Sequence, residues 1–392
     1  MNHSKRVLIF LPCLTNGGAE KQGVLLAHYL HNKGYAVQVW GFPSPTGHAP
    51  LISKLIEWGI DYKEISAWPI LDWSKQTIFP LSWSFFRYRT SWRKQLANYR
   101  NLLLKETFDY IFAFTFWPCL VSILFKHHFG EPIVFWIHRG GFDAAGMTYS
   151  RFIIREIKAK TPIFVANSEA GAKFLSTIFK TSLDNIAIIS NAYVPGYDVS
   201  ADIAPRAQSA GKINLLHVAN LYSEKDPVTL IDSAYLLKEW GYDFHLRIAG
   251  DFPVQSDRDT LATMIINKNL GDFVTLLGGV SRFDLLHLLR TSDIGLLSSR
   301  SEGMPNCIME YMYWRLPVIA TNIAGICAVV GKDNEKWLYP VGDSLALARL
   351  VKILADHREL IPVIGDVNRE IIMNNFNAEL IMKKWDELIN AH

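Results

Sequence analysis

"DIGLLSSRSEGMPNCIMEYMYWRLPVIATN", Asp293 to Asn322, reads as a strand, a tight turn, a buried helix and a second strand. Ile294 to Leu297 is a short apolar run that would end in serines at the carboxyl edge of a sheet, where open α/β sheets bind ligands. Gly303 permits a tight backbone turn and Pro305 suits the start of a helix. Backbone amides around Met304, Asn306 and Cys307 would then lack helical partners and can bind phosphate oxygens. Helix-end electrostatics adds roughly 0.3–1 kcal/mol for an anion there. Two carboxylates flank this turn, with seven residues between Glu302 and Glu310. Glu310, one turn inside the helix, can accept two hydrogen bonds, as a ribose diol requires, and Glu302 suits a sugar hydroxyl. Spacing alone fits equally a surface turn residue at 302 and a helix-dipole partner at 310.

The same alternation extends in both directions. "RVLIFL" is a β-rich run, "PCLTNGG" a turn-rich loop and "AEKQGVLLAHYLHNKG" a helix, with Val24, Ala27 and Leu30 at helical spacing and Gly34 as its stop. "YAVQVWGF", "DYIFAFT", "PIVFWIH", "PIFVANS" and "NIAIIS" follow as strands with helical stretches between most of them, which implies a parallel sheet with crossover helices. After a Pro-, Gly-, Ala- and Ser-rich linker near residues 192–212 the pattern restarts with "INLLHVAN", "FHLRIAG", "FVTLLGG", "DIGLLSS" and "LPVIATN". The helix "DPVTLIDSAYLLKEWG" is expected to take Asp226 as N-cap and Pro227 as first residue. The expectation is two doubly wound α/β domains, 1–195 and 196–370, with a terminal helix in 371–392 packing back on the first.

Composition agrees with this. At 392 residues the chain is too long for one ordinary core, and its 49% hydrophobic and 20% charged residues are those of a soluble globular protein. The four cysteines lack C-x-x-C spacing, which indicates neither a zinc site nor a disulfide framework. The longest uncharged run, Tyr110 to Phe125, is interrupted by Pro118 and falls short of the roughly 18 residues that a membrane span needs. The N-terminus lacks the form of a signal peptide, so a cytoplasmic location is expected. Net charge is +3, but the first 200 residues hold 21 Lys/Arg against 13 Asp/Glu and the remainder 19 against 24. The basic first half is suited to an anionic partner.

Lys225, in "LLHVANLYSEKDP", lies in the loop after a strand and just before a helix, where an ammonium suits a diphosphate; alone, it would read as an ordinary exposed lysine. Taken in order, "NGGAEKQ", "WIHRGG", "VANSEAG", "ISNAYVP", "HVANLYSEKDP", "RIAGDFP", "LLGGVS" and "SEGMPNCIMEYMYWRLPVIATNIAG" resemble the retaining glycosyltransferases of the GT-B fold that carry an E-x7-E motif, the family 4-like enzymes of bacterial surface-polysaccharide assembly. The resemblance covers nearly the whole chain. It implies two Rossmann-like domains with a cleft between them, and Lys225, Glu302 and His138 as catalytic residues: Lys225 on the diphosphate, Glu302 facing the donor sugar and His138 near it. For donor binding it implies Gly17 and Gly18, Gly303, Met304, Pro305 and Asn306 beside sugar and phosphates, Gly279 and Val280 near the base, and Glu310 on the ribose. The arginine usual five residues before the lysine is replaced by Asn220, which removes a cation where the leaving group needs one. Arg139, Arg282 and Arg300 are the candidates to compensate.

What the resemblance implies is transfer from a nucleotide-sugar, preferentially a UDP-sugar, to a glycan or lipid-linked acceptor, with no cofactor and no essential metal. A catalytically silent sugar-nucleotide-binding protein and a nucleotide-sugar epimerase of the same fold remain as alternatives. A nicotinamide dehydrogenase is disfavoured because no G-x-G-x-x-G follows the first strand. Asp257 and Asp259 have D-x-D spacing, but helix capping and exposed charge account for them without a metal.

Between Trp73 and Lys105 lie seven basic residues, no acidic ones and many aromatics. Trp83, Arg87, Arg89, Trp92, Arg93 and Lys94 form a basic, aromatic set suited to an anionic membrane surface, where each cation is worth roughly 1 kcal/mol. A solvated helix packing its aromatics inward fits equally, and nothing else in the chain supports nucleic acid as a partner. If the membrane reading holds, the protein co-sediments with anionic vesicles and salt weakens the association; absence from the pellet at every ionic strength eliminates it.

Overall fold

The structure is a computed structural model describing residues 4–15, 17–44, 49–65, 106–139, 151–160, 162–193, 211–252 and 254–392. The basic aromatic segment and most of the expected linker lie outside the described residues. The chain divides into two compact units, Met1–Ser190 with Met382–His392, and Asn191–Ile381. The sequence had put the divisions after 195 and 370.

Among the described residues of the first unit seven strands form one sheet, ordered β3-β2-β1-β4-β5-β6-β7: β1 (Arg6–Cys13), β2 (Ala36–Phe42), β3 (Asp61–Glu64), β4 (Tyr110–Phe114), β5 (Ile133–His138), β6 (Ile163–Ala166) and β7 (Ile186–Ile188). Every pairing is parallel. Helices cover both faces of such a sheet, so its central strands are apolar throughout rather than alternating. Val7 to Leu11 and Ile111 to Phe114 are accordingly buried without a break. From Met382 onward the last helix, Ala378–Asn390, belongs to this unit. There Trp385 meets the ring of Phe112 edge-on at 5.7 Å, and Asp386 accepts from the Tyr29 hydroxyl and pairs with Lys33 at 3.0 Å.

The second unit repeats the plan with six strands, ordered β10-β9-β8-β11-β12-β13: β8 (Ile213–Val218), β9 (Phe244–Ala249), β10 (Val274–Gly278), β11 (Ile294–Leu297), β12 (Val318–Thr321) and β13 (Leu338–Tyr339). Its strands are all parallel. β8 and β11 are neighbours although distant in sequence, and strand order reverses between them. Their following loops therefore diverge and leave a crevice at the carboxyl edge. β3 and β13 are missing from the sequence reading. All four residues of β3 are exposed at a sheet edge and β13 has two residues, so neither carries the apolar run that marks a buried strand.

Backbone bonds tie the strand ends of this unit together. Ala219 N donates to the Ala249 carbonyl at 3.0 Å, Gly250 N to that of Gly278 at 2.8 Å and Leu221 N to that of Asp251 at 2.8 Å. Gly250 has φ +144°, and a Cβ there would collide with the Ala219 carbonyl. Gly250→Ala is therefore expected to destabilise this unit by more than about 2 kcal/mol, measured by urea unfolding. A loss within 0.5 kcal/mol would show that the backbone at this junction relaxes.

Candidate functional site

β8 runs into the short turn Ser223–Lys225, and the helix Pro227–Glu239 starts immediately after Asp226. Asp226 is at the N-cap position as expected, but it makes no side-chain capping bond to the backbone. It adopts φ +45°, and its buried carboxylate instead accepts from the Thr229 hydroxyl at 2.8 Å and pairs with Arg300 at 3.2 Å. Residue 225 is thereby presented over the crevice. The Lys225 ammonium pairs with the Glu302 carboxylate, which also accepts from the Ser299 hydroxyl at 2.7 Å. Two charges in a mostly desolvated setting hold each other far more firmly than in water.

The turn after Glu302 is packed tightly. Gly303, Met304 and Pro305 are buried, and a Cβ on Gly325 would strike the Glu302 and Gly303 carbonyls. Asn191 holds the same turn from the other side: its Nδ2 donates to the Met304 carbonyl at 3.0 Å and to Asn306 Oδ1 at 2.8 Å, and its backbone N–H points at Met304 Sδ, 3.2 Å away. The helix Asn306–Tyr313 then begins at Pro305 without a side-chain cap. Beside it, burial and the nearby Glu302 push the Cys307 thiol up to about 12. Glu310 is only 8% exposed, and its charge is matched by Arg282, whose guanidinium lies 2.6 Å from Oε1. Arg282 opens the helix Arg282–Thr291, directly after Gly279, Val280 and the N-cap Ser281. Gly279 lies against the Asp251 carboxylate, which a Cβ there would push aside.

Two buried side chains lie behind the crevice. The Tyr311 hydroxyl accepts from Val218 N at 2.7 Å and reaches the Leu296 carbonyl at 3.4 Å, joining the ends of β8 and β11. Gly295 leaves room for its ring. His217 has Nδ1 3.1 Å from the same carbonyl, and burial pulls its imidazole down to about 4.

Residues 16–195 match the Glycosyltransferase Family 4 model and residues 200–383 match Glycosyl transferases group 1. The chain belongs to this glycosyltransferase family. It is 31% identical over 195 residues to the putative colanic acid biosynthesis glycosyltransferase WcaL of Escherichia coli, a stretch covering 48% of this chain and 47% of that one. It is 28% identical over 184 residues to the amylovoran biosynthesis glycosyltransferase AmsK of Erwinia amylovora, covering 45% and 44%. Over 311 residues it is 23% identical to an Escherichia coli UDP-Gal:alpha-D-GlcNAc-diphosphoundecaprenol alpha-1,3-galactosyltransferase, covering 75% and 78%. The chain spans about half the length of the first two relatives. Among solved structures, Anabaena HepE in complex with UDP and glucose superposes with TM-score 0.76 at 16% identity, covering 99% of this chain and all of that one. The apo form of the lipopolysaccharide outer core galactosyltransferase WaaB does so with 0.66 at 16%, covering 99% of both. The fold is GT-B, with two Rossmann-like domains.

Within this family chain, Lys225 and Glu302 meet directly, while Glu310 stands apart from them with Arg282. Asn220 is exposed at the end of β8 and brings no charge. Of the three arginines that could replace the missing cation, Arg282 is engaged by Glu310 and Arg300 by Asp226; Arg139, in the first unit, lies over the Phe114 ring at 5.3 Å. Gly17, Gly18 and His138 also belong to the first unit. Gly17 precedes the helix Gly18–Asn32, and a Cβ on it would collide with the buried Glu20 carboxylate. His138 ends β5, stacks on Phe174 at 4.8 Å and is pulled down to about 4 by burial. Asp257 and Asp259 lie in the helix Gln255–Asn267, but the residue at its N-cap position is Val254, so neither caps it; Asp259 accepts from Gln255 at 2.9 Å.

Sequence reading did not pick out Asn191, Tyr311 or Ser299. Asn191 lies in the "ISNAYVP" stretch, which was a usable signal; for Tyr311 there was none. His138 and His217 are depressed to about 4 in the folded chain and sit near 6.5 when unfolded. Between those values the unfolded chain binds more protons, so stability is complete above pH 6.5 and falls as pH drops toward 4. For fully buried His217 the loss at pH 5 is roughly 2 kcal/mol. Denaturant unfolding at pH 7 and pH 5 should give a smaller difference for His217→Asn than for the parent, and an unchanged difference would remove His217 as its source.

Proposed function

We propose that this chain transfers a sugar from a nucleoside-diphosphate sugar, with UDP as the favoured nucleotide, to a glycan or lipid-linked saccharide in surface-polysaccharide or lipopolysaccharide assembly. The observation that carries the reading is the Lys225–Glu302 pair at the strand-order reversal, beside the turn 303–306 and with Glu310 one helical turn further on. A diphosphate placed there meets the Lys225 ammonium and the backbone amides that open a helix, and charged hydrogen bonds of that kind contribute about 1.5–3 kcal/mol each. Glu302 is freed from Lys225 as the ammonium turns to the phosphates, and accepts from a donor-sugar hydroxyl. Glu310, paired with Arg282, accepts from the ribose, and Gly279 and Val280 border the base. Support for UDP and for the polysaccharide setting comes from the relatives and from the UDP-bound neighbour.

In this reading the reaction proceeds with retention and without an essential divalent metal. The acceptor oxygen bonds to the anomeric carbon from the side that the diphosphate leaves, the carbon–oxygen bond to the diphosphate breaks, and the acceptor proton passes to a phosphate oxygen. Lys225 and the amides take up the charge of the leaving group. His138, neutral at physiological pH, offers a hydrogen bond to the donor sugar rather than a charge. Gly17 and Gly18 allow backbone to approach the diphosphate. No helix among the described residues is long and apolar enough to cross a membrane. The contact proposed with the inner face of the cytoplasmic membrane is a peripheral one, through Trp83, Arg87, Arg89, Trp92, Arg93 and Lys94, which lie outside the described residues.

Calorimetry with UDP, GDP and ADP in EDTA tests this. Saturable binding of one nucleotide is expected, weakened about 10- to 100-fold by Lys225→Ala and comparably by Glu310→Ala. Folded protein that binds none of the three overturns the reading.

A further inference from the structure

Asn220 leaves the diphosphate site one cation short, so the placement of Lys225 carries more of the work. We infer that Arg300 is a positioning residue that fixes the turn presenting Lys225, acting through Asp226 and the Glu224 carbonyl; this rests on the donor-site reading above.

The strand end Ser298–Arg300 takes hold of three consecutive residues. Arg300 N donates to the Glu224 carbonyl at 2.7 Å, the Ser298 hydroxyl donates to the Lys225 carbonyl at 2.7 Å, and the Arg300 guanidinium lies 3.2 Å from Asp226 Oδ2. Ser299, between them, bonds the Glu302 carboxylate. Both members of the Lys225–Glu302 pair are thus referenced to one strand end. The turn needs such restraint because Asp226 has φ +45°, a conformation that non-glycine residues keep only when neighbours impose it. A lysine side chain is a flexible stem with a point charge, so its reach is defined only as well as its backbone.

Exposure separates this role from core support. The Asp226 side chain is 3% exposed and that of Arg300 is 60% exposed. Loss of the guanidinium removes little packing but leaves the buried Asp226 carboxylate, among the described residues, with the Thr229 hydroxyl alone, so Arg300→Gln is expected to lower stability, and its unfolding curve is compared with that of the parent before binding is read. Arg300→Gln should still fold, with residue 225 less well placed.

The experiment uses the full chain and whichever of UDP, GDP and ADP the parent binds best, alongside the corresponding nucleoside. Arg300→Gln is expected to lose about 10-fold in affinity for the diphosphate, to bind the nucleoside as the parent does, and to regain part of the loss as Arg300→Lys. In a Lys225→Ala background Arg300→Gln is expected to add nothing, because it acts through the lysine. Equal losses on nucleoside and diphosphate would make Arg300 a general structural residue and overturn the inference. A full further loss in the Lys225→Ala background would mean that Arg300 contacts the diphosphate itself, which also overturns it. A parent that binds nucleoside as tightly as diphosphate would overturn the donor-site reading, and this inference with it.

Discussion

The ion pair of Lys225 and Glu302 is possible because two parallel strands remote in sequence lie side by side and send their chains apart. Everything else at the site depends on that divergence. The two loops carry opposite charges into a crevice with restricted water, where each charge needs the other until a ligand arrives. Ser299, Arg300 and Asp226 exist in this arrangement to keep the two loops in register. The tyrosine behind them joins the strand ends with its hydroxyl, so the crevice has a rigid floor.

Glu310 illustrates the same economy in a second place. A carboxylate this buried is costly without a cation, and Arg282 supplies one from the start of the neighbouring helix. Both carboxylates of the site, Glu302 and Glu310, are thus paired with a cation within the second unit itself. Preorganised groups of this kind lower the reorganisation that charge development would otherwise require. In contrast, the imidazoles of His138 and His217 and the Cys307 thiol are neutral at physiological pH, because burial disfavours their charged forms, and for Cys307 the nearby Glu302 adds to this more than Lys225 offsets.

Much of the fold was legible in the chain itself. Buried parallel strands such as Val7–Leu11 and Ile294–Leu297 are apolar along their whole length, and the helices between them show the 3.6 period. β3 escaped because a solvated edge strand has no apolar signature, and β13 because two residues have none. The turn chemistry at 303–306 and the carboxylates at 302 and 310 were legible too, since a strand–turn–helix places them by local rules.

The sequence by itself determined the α/β alternation, the place of the turn 303–306 and the residue types around it, because these follow from periodicity and from backbone preferences a few residues long. The tertiary structure decided which charges meet. Arg282 pairs with a residue 28 positions away, Lys225 with one 77 away, and Asn191 holds a turn 113 away. Such partners are chosen by sheet order and by desolvation, neither of which leaves a mark in the local sequence. Asp226 shows the difference at one residue. The chain marked it as a helix cap, while packing against Arg300 and Thr229 made it the brace of the lysine turn.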